Sequence, residues 1–379
     1  MESLVKKYES RNEESKYLTK KAFEYKNMKD IPFIFNTANY FSFGYPPDEI
    51  PDDYYNTPEA MYKRQNEQFE NHFPLIKDNY VPYLMPWYGT GVTASAFGVG
   101  VDFLPKMDPT TEVPDFPNPD DIDKMTIPDF EKAGIMPKVL ETINYFMANS
   151  DLPVCFTDNH GPLTLAVQII GYDKLFYWMH DYPKKIHALM DLLSDTVIEW
   201  VKFQKQIIGQ PLSHCFGNQG VYVPEGVGVW FSDDDAVIIS DTLYKEFVVP
   251  YNEKILKFFD GGIIHFCGNG NQHIENFKSM EYLRGINNFA LGNWKSLLEL
   301  KAGLENEVVI IACDFTHMDY NEYYRILFEE HNMSKRGLVI HSLFAPTTAA
   351  ENGKYILIDR NENEIAADMC LVMDRYFRD

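Results

Sequence analysis

Basic residues are scarce in this chain. Its 379 residues include 34 Lys and Arg against 56 Asp and Glu, which gives a formal net charge of −22. A field of that sign repels phosphate backbones and anionic lipid headgroups. We therefore expect neither a nucleic-acid-binding protein nor one that acts on a membrane surface.

Cysteines and long apolar runs are also lacking. The five cysteines are an odd number and lie far apart, which argues against a disulfide framework and favours a reducing compartment. No run approaches the roughly 20 apolar residues that a membrane span needs. Residues 1–29 are charged throughout and lack the apolar core of a signal peptide. We expect a cytoplasmic protein.

The apolar residues that are present, 45% of the chain, are arranged as short strand-like runs between helical segments. From about residue 138 onward the two types alternate, with a strand predicted at about 212–217 and helices at about 162–180 and 241–259. Two more strand-like runs, 31–36 and 81–87, come before. This alternation predicts a parallel sheet with helical crossovers. About eight such strands without a linker predict an α/β fold made of a single (β/α)₈ TIM barrel. The alternative, a doubly wound open sheet, lacks a Gly-rich dinucleotide fingerprint after the first strand.

The same patterns predict how the chain is divided. We expect residues 1–30 to form an N-terminal helical extension that packs on the barrel, and residues 31–379 to form the barrel itself. Glycine and proline are concentrated around residues 88–137, which predicts a long irregular insertion there.

Two side chains that can bind metal stand two positions apart at the end of one predicted strand. Residues 261–269 read GGIIHFCGN, so His265 and Cys267 should project from the same face of the strand. Imidazole and thiolate are preferred zinc ligands. Taken alone, the tripeptide is explained as well by a buried cysteine next to a hydrogen-bonded histidine.

Other predicted strand ends carry titratable groups as well. Asp158 and His160 follow the strand 153–157, Cys313 ends another strand, and His341 lies near the end of the last. Active sites of TIM barrels form where the strands end. These groups therefore predict a functional site at one rim of the barrel, although a helix-capping role would also explain Asp158.

A run of three aspartates, residues 233–235, follows the apolar segment 227–231. Adjacent carboxylates often cap the following helix, whose N-terminal dipole favours negative charge. The functional interpretation makes Asp234 or Asp235 a general acid or base.

Three motifs resemble the uroporphyrinogen decarboxylase superfamily, a group of (β/α)₈ barrels. Residues 161–166 (GPLTLA) are similar to its strand-to-helix junction, and residues 239–251 to its helix "lS-x-x-x-Y-x-x-F-x-x-P-Y". Residues 265–269 (HFCGN) resemble the "H-x-C-G-N" strand end of its methyltransferase branch. The resemblance covers residues 150–350 well and the first 150 loosely.

The resemblance favours one branch of that superfamily. True uroporphyrinogen decarboxylases have an N-terminal "M-R-Q-A-G-R" segment whose arginines bind propionate groups. Residues 34–39 here read IFNTAN, without an arginine, so a porphyrin substrate would find no partner. The other branch contains cobalamin-dependent methyltransferases, so the resemblance implies transfer of a methyl group between a small substrate and cobalamin.

The resemblance also implies site residues. His265 and Cys267 would bind zinc, but Leu343 stands where thiol-methylating members have a third cysteine. The resemblance implies no replacement for that ligand, and from their places at strand ends we expect Cys313 or His341 to complete the site. Asp158, His160 and Asp235 are the candidate catalytic residues, which would position or protonate the substrate. The candidate substrate contacts are Tyr40, Trp87, Trp230 and Asn269. Aromatic residues near the mouth favour a small methoxylated or methylamine-like substrate over a polyanion.

The corrinoid itself is expected on a partner. A corrinoid-binding module needs a D-x-H-x-x-G turn, and the run that starts at Asp158 has Leu163 in place of the glycine. We therefore expect a separate corrinoid carrier protein. Two other functions stay open: a lyase that decarboxylates a small acid, and a non-catalytic binding protein built on the same barrel.

Overall fold

The computed structural model describes residues 4–27, 29–36, 53–104, 108–116, 118–290, 293–314, 320–343, 347–349, 355–357 and 362–378. The helices are α1 Leu4–Lys7, α2 Glu9–Phe23, α3 Pro58–Leu75, α4 Val92–Ser95, α5 Met136–Asn149, α6 Pro162–Ile170, α7 Tyr172–Asp181, α8 Pro183–Ile208, α9 Asp241–Phe247, α10 Val249–Phe258, α11 Ile274–Ser279, α12 Trp294–Gly303, α13 Tyr320–Arg325 and α14 Glu362–Val372. The strands are β1 Phe33–Asn36, β2 Val101–Asp102, β3 Thr110–Thr111, β4 Gly217–Asn218, β5 Val221–Tyr222, β6 Val229–Ser232, β7 Gly262–Cys267, β8 Leu283–Phe289, β9 Val309–Asp314, β10 Leu338–Leu343, β11 Thr347–Ala349 and β12 Tyr355–Leu357.

Six of these strands form a parallel sheet in the order β1-β10-β9-β8-β7-β6. Two further segments extend the sheet, each through a single parallel bridge. One contains His160, which pairs with Ser232 of β6. The other contains Leu84, which pairs with Val154. The free end then returns towards β1, where the Asn79 N–H donates to the Phe33 carbonyl at 2.7 Å. Eight parallel segments thus follow one another around the sheet, with helices between most of them, which confirms the predicted α/β architecture.

The apolar character of these strands follows from their position. Residues 262–266 of β7 are all buried, because a parallel strand is covered by helices on one face and by the other strands' side chains on the other. Short polar signals mark the ends of the elements. Ser240 caps α9 by accepting the Leu243 N–H at 3.3 Å, and Gly268, with φ of +92°, turns the chain out of β7.

Three local predictions differ from the structure. Residues 212–217, predicted as a strand, instead lead into the β4–β5 hairpin, whose turn residues Gln219 and Gly220 have φ of +49° and +83°. The predicted helix 162–180 is two helices, because Gly171 breaks it at φ of +90°. The predicted helix 241–259 is likewise interrupted, between α9 and α10.

Helix α2 is joined to the sheet by one buried charge. Arg11 donates to the Asp78 carboxylate at 2.7 Å and to the carbonyls of Phe73 and Ile76. Asp78 also accepts the Phe35 N–H of β1 at 2.8 Å.

The division of the chain at residue 30, and the treatment of residues 88–137 as an insertion, stay predictions. None of the helices in the described ranges combines the length and apolar character that crossing a bilayer requires.

Candidate metal centre

The register of the sheet aligns a row of polar side chains. His160 pairs with Ser232, Ser232 with His265, and His265 with Asn287. Residues paired in parallel register point to the same face of the sheet. The row therefore crosses four neighbouring strands near their C-terminal ends, where barrel active sites form.

A second row lies two residues further along the strands. Cys267 pairs with Phe289, Phe289 with Cys313, and Cys313 with His341. Because alternate residues share a face, this row points the same way as the first. All four of the sequence-predicted metal ligands therefore lie on one face of the sheet.

Three potential ligand atoms come together at the end of β7. One ligand atom each from Asp234, His265 and Cys267 lies within 4.8 Å of the other two. The His265 Nε2 atom is 3.6 Å from Cys267 Sγ and 3.6 Å from Asp234 Oδ1. The Cys267 N–H donates to the same Asp234 oxygen at 3.0 Å and so holds the carboxylate in place.

Asn287 determines which His265 nitrogen faces this group. The Asn287 side-chain N–H₂ donates to the Ile311 carbonyl at 3.1 Å, which directs its Oδ1 atom towards His265 Nδ1 at 2.5 Å. An amide oxygen accepts a proton, so Nδ1 must donate and Nε2 keeps its lone pair. That lone pair is the one a metal ion would take.

The charges of the three groups also fit a cation. Burial, together with the neighbouring Asp234 carboxylate, raises the pKa of the Cys267 thiol above its ordinary value. A thiolate and a carboxylate this close repel each other unless a positive charge lies between them. One imidazole nitrogen, one sulfur and one carboxylate oxygen form a donor set that suits Zn²⁺ and leaves an open position on it.

The three consecutive aspartates have different surroundings. Asp233 is fully buried, accepts from the Tyr244 hydroxyl at 2.7 Å and from Asn252 at 3.0 Å, and burial raises its pKa to about 6. Asp234 faces His265 and Cys267. Asp235 interacts with the Tyr172 and Thr164 hydroxyls, which oppose the rise that burial causes in its pKa. A 3₁₀ turn over Asp234–Ile238 spreads the side chains in this way, and Asp233 fixes the turn to α9 and α10.

Asp158 and His160 lie next to this turn. Asn218 donates to Asp158 at 3.0 Å, and burial raises the Asp158 pKa while His160 lowers it. Burial likewise raises the Asp235 pKa, again opposed by His160. The structure thus brings together the three predicted catalytic residues, and Asp158 also interacts electrostatically with His265 and Asp234.

Cys313 and His341 are not part of the three-ligand group. They lie two and three strands from Cys267 in the same row, and two strand spacings amount to about 10 Å at the backbone. The Phe289 ring stands between and packs edge-on against His265 at 4.9 Å. Burial lowers the pKa of His341 to about 3, so its imidazole is neutral.

The predicted substrate contacts that lie in the described residues differ in burial and in hydrogen-bond partners. Trp87 is buried and donates from its indole nitrogen to Asp108 at 2.9 Å. Trp230, also buried, has an indole nitrogen without a hydrogen-bond partner in the described part of the chain. Asn269 is exposed and accepts the Asn271 N–H at 3.0 Å. Tyr40 lies outside the described residues.

Sequence reasoning did not identify two residues of this centre. Asp234 was named as a candidate general acid or base, but it was not singled out as the ligand beside His265 and Cys267, because its neighbours in sequence offer the same carboxylate. Asn287 was not considered, although two adjacent asparagines, 287 and 288, stand in the buried part of their strand. A polar pair inside a buried strand is a signal that could have identified it.

Comparison with known proteins gives three findings. The uroporphyrinogen decarboxylase (URO-D) family profile matches residues 85–210. A methylated-thiol–coenzyme M methyltransferase of Methanosarcina mazei is 26% identical over 191 residues, 49% of this chain and 47% of the relative. The match thus spans about half the length of that relative.

The third finding concerns the fold. A solved structure of a methyltransferase from Methanosarcina mazei aligns with a TM-score of 0.64, covering 96% of this chain and 99% of that one at 14% identity. At this identity the likeness shows the fold alone, and it agrees with the predicted TIM barrel. The three findings together confirm the relationship that the motifs predicted, with the methyltransferase branch of the uroporphyrinogen decarboxylase superfamily.

Proposed function

We propose that this chain is the methyltransferase component of a corrinoid-dependent system. It would move a methyl group between a small substrate and the cobalamin of a partner carrier protein, with zinc held by Asp234, His265 and Cys267. The observation that carries the proposal is the convergence of these three ligand atoms within 4.8 Å of one another at the end of β7.

The residues of the centre have separate tasks in this scheme. When bound, zinc supplies the Lewis acidity that lowers the pKa of a coordinated thiol or polarises an ether oxygen. Asn287 orients His265, and the backbone of Cys267 orients Asp234. Three protein ligands leave a fourth position for the substrate, as is typical of catalytic zinc sites.

The name of the Methanosarcina mazei relative supports sulfur as the reacting atom. In the direction of thiol methylation, the substrate sulfur would gain the methyl group and lose its proton, and the carrier's cobalamin would supply the methyl as a cation and keep the bonding electron pair. Asp158 and Asp235, whose pKa values are raised by burial, take up a proton more readily than an ordinary aspartate, which suits the acid–base role. Methoxylated and methylamine-like substrates stay predictions.

Two further parts of the proposal rest on the sequence. The cobalamin would arrive on a separate carrier, since the D-x-H-x-x-G turn is incomplete at Leu163. None of the five cysteines, which all lie in the described ranges, forms a disulfide, and this supports the cytoplasm as the location. Trp230 is kept as a substrate contact because its indole N–H is available.

The test is zinc binding by variants of the purified protein. We expect one zinc per wild-type chain and a loss of about a hundredfold in affinity for His265→Ala, Cys267→Ala and Asp234→Ala, because each removes a ligand. Cys370→Ala is the matched cysteine control. Cys313→Ala tests whether Cys313 is the third ligand, as the sequence predicted, or Asp234 is. We expect the Cys313→Ala protein to bind zinc with the affinity of the wild type. Full zinc retention by both His265→Ala and Cys267→Ala would exclude the mechanism.

Methyl transfer from methylcobalamin to a small thiol is the second readout. Wild-type protein loaded with zinc should form the thioether, and Cys267→Ala should not. Release of CO₂ from a small acid by metal-free protein would favour the lyase instead.

A further inference from the structure

His160 is a buried polar group that the metal centre leaves unused. His160 is only 4% exposed, and neither of its ring nitrogens has a hydrogen-bond partner among the described residues. An imidazole without partners in a buried site is unfavourable. We therefore expect a bound molecule to supply the hydrogen bonds that His160 lacks.

The groups around His160 are acidic. Asp158 precedes it by two residues in the same strand-end segment, and both Asp158 and Asp235 interact with it electrostatically. Within the described ranges, neither carboxylate forms an ion pair with a lysine or arginine. Asn218 is the described donor to Asp158, and the Tyr172 and Thr164 hydroxyls interact with Asp235. Both carboxylates therefore keep capacity to accept more hydrogen bonds.

A bound divalent cation would not offset these two charges. It would be balanced by the Cys267 thiolate and the Asp234 carboxylate, with His265 neutral. Asp158 and Asp235 would then stay as negative charge beside the open position. A substrate with a carboxylate or sulfonate tail would be repelled there, whereas a cation would be attracted.

We propose that the substrate of this site is a small sulfur compound that carries an ammonium group, which Asp158, His160 and Asp235 bind. The proposal rests on the proposed function, since it takes the metal centre as the place of the sulfur. An ammonium group has three N–H donors and no acceptor. Two carboxylates and one imidazole nitrogen offer three acceptors, and this pairing supplies a partner to His160.

The spacing of the two groups suits a short molecule. His160 and His265 are separated by Ser232 alone in their row, two strand spacings or about 10 Å at the backbone. Their side chains project from the same face, and Asp158 interacts electrostatically with both His265 and Asp234, so the two groups are neighbours. A two-carbon link between sulfur and nitrogen is therefore the first size to test.

The experiment compares three thiols of equal size that differ in the charge of the tail. They are 2-aminoethanethiol, 2-mercaptoethanol and 2-mercaptoethanesulfonate, titrated into cobalt(II)-substituted protein and followed by sulfur-to-cobalt charge-transfer absorption. We expect the aminothiol to bind about tenfold more tightly than the neutral thiol, the magnitude of a charge-assisted hydrogen bond. The sulfonate should bind more weakly than either.

Variants locate the preference. Asp158→Asn and Asp235→Asn should each lower the affinity for the aminothiol, relative to that for 2-mercaptoethanol, about tenfold. Asp173→Asn removes the same charge at an exposed position next to Tyr172 and should change neither. Thermal unfolding of each variant shows whether the buried substitutions have altered the fold, and the two variants serve as independent tests.

A second experiment distinguishes failure of the ammonium site from failure of the proposed function. Metal-free protein is titrated calorimetrically with 2-(methylthio)ethylamine and 2-(methylthio)ethanol, which differ in the ammonium group alone. Preference for the amine, lost in Asp158→Asn, supports the ammonium site even if no metal binds and the proposed function fails. Equal affinities in both experiments, or tighter binding of the sulfonate to metal-loaded protein, would overturn it while leaving the metal centre intact.

Discussion

At the scale of single residues, the centre depends on side chains that hold its ligands. Asp233 accepts from Tyr244 and Asn252 and is fully buried, so it fixes the turn from which Asp234 projects. Asn287 fixes the His265 ring, because its Oδ1 atom lies 2.5 Å from His265 Nδ1. Groups of this kind affect metal affinity without touching the metal.

Asn287→Leu tests that role. The substitution keeps the number and branching of the side-chain heavy atoms and removes the acceptor of the His265 Nδ1 proton. We expect zinc affinity to fall by about 10- to 100-fold, measured by competition with a chromophoric chelator. Asn288→Ala is the control, because Asn288 donates to the carbonyls of Phe266 and Gly268. An unchanged affinity in Asn287→Leu would contradict the assigned tautomer.

The Cys267 thiol sets the pH dependence of metal binding. Its pKa is raised by burial and by Asp234, so the thiol is protonated at neutral pH and must lose that proton when a metal binds. Apparent zinc affinity should therefore rise about tenfold between pH 7 and pH 8. In Cys267→Ala, the residual affinity should lack this dependence. A flat profile in wild type would mean that the thiol is not a ligand.

At the scale of elements, sequence patterns identified the strands that carry the site but not its third ligand. The apolar run ending in His265 and Cys267 fixes both the strand and the shared face, because the side-chain period of a strand is two. Asp234 is different. It lies in a 3₁₀ turn beside two identical side chains, and the register that brings β6 against β7 decides which one reaches His265.

The same limit explains the choice of Cys313 and His341 as candidate ligands. Their sequence positions correctly place them near strand ends, and register puts them in the row of Cys267. How many strands separate two residues depends on the strand order, which local patterns do not encode. The β4–β5 hairpin was missed for a related reason, since its turn depends on two positive-φ residues, Gln219 and Gly220.

Helix α2 is expected to be held by the Arg11–Asp78 pair. Burial alone would raise the pKa of Asp78, but His72 and Arg11 hold it below its usual range. Because the pKa of the folded state is lowered, this contribution to stability is present above the pKa of the unfolded state, about 3.9, and is lost as pH falls below it.

Arg11→Met measures that pair. Removing one partner of a buried pair costs about 3–5 kcal/mol, and the cost here should lie at or below the lower end, since Arg11 is partly exposed and His72 also contacts Asp78 at 3.0 Å. Urea denaturation gives the free energy of unfolding. Lys16→Met, which removes an exposed pair with Glu13, should change it by less than about 1 kcal/mol. Equal effects of the two substitutions would contradict the proposed role of Asp78.

At the scale of the whole molecule, the alternation of strand-like and helical segments predicted the fold class, and composition predicted the sign of the electrostatic field. The comparisons agree on the fold. The net charge of −22 says little about the site itself, where a few carboxylates and one thiol decide which ligands are favoured. Composition could not reveal that arrangement, because it depends on residues from separate strands meeting at one edge.

Zinc should stabilise the entire chain if it binds the folded state alone. At a free zinc concentration 100 times the dissociation constant, the gain is about 2.7 kcal/mol, and it should appear as a higher midpoint of thermal unfolding. His265→Ala should show no gain at the same concentration. Equal shifts in both proteins would place the bound zinc elsewhere.

X-ray absorption at the zinc edge of the loaded protein tests the central claim most directly, because it counts the sulfur ligands. We predict one sulfur at about 2.3 Å, with the other ligands nitrogen or oxygen at about 2.0–2.2 Å. Two sulfurs in the absence of added thiol would bring a second cysteine into the site. No sulfur would remove Cys267, and either result would contradict a centre built from Asp234, His265 and Cys267.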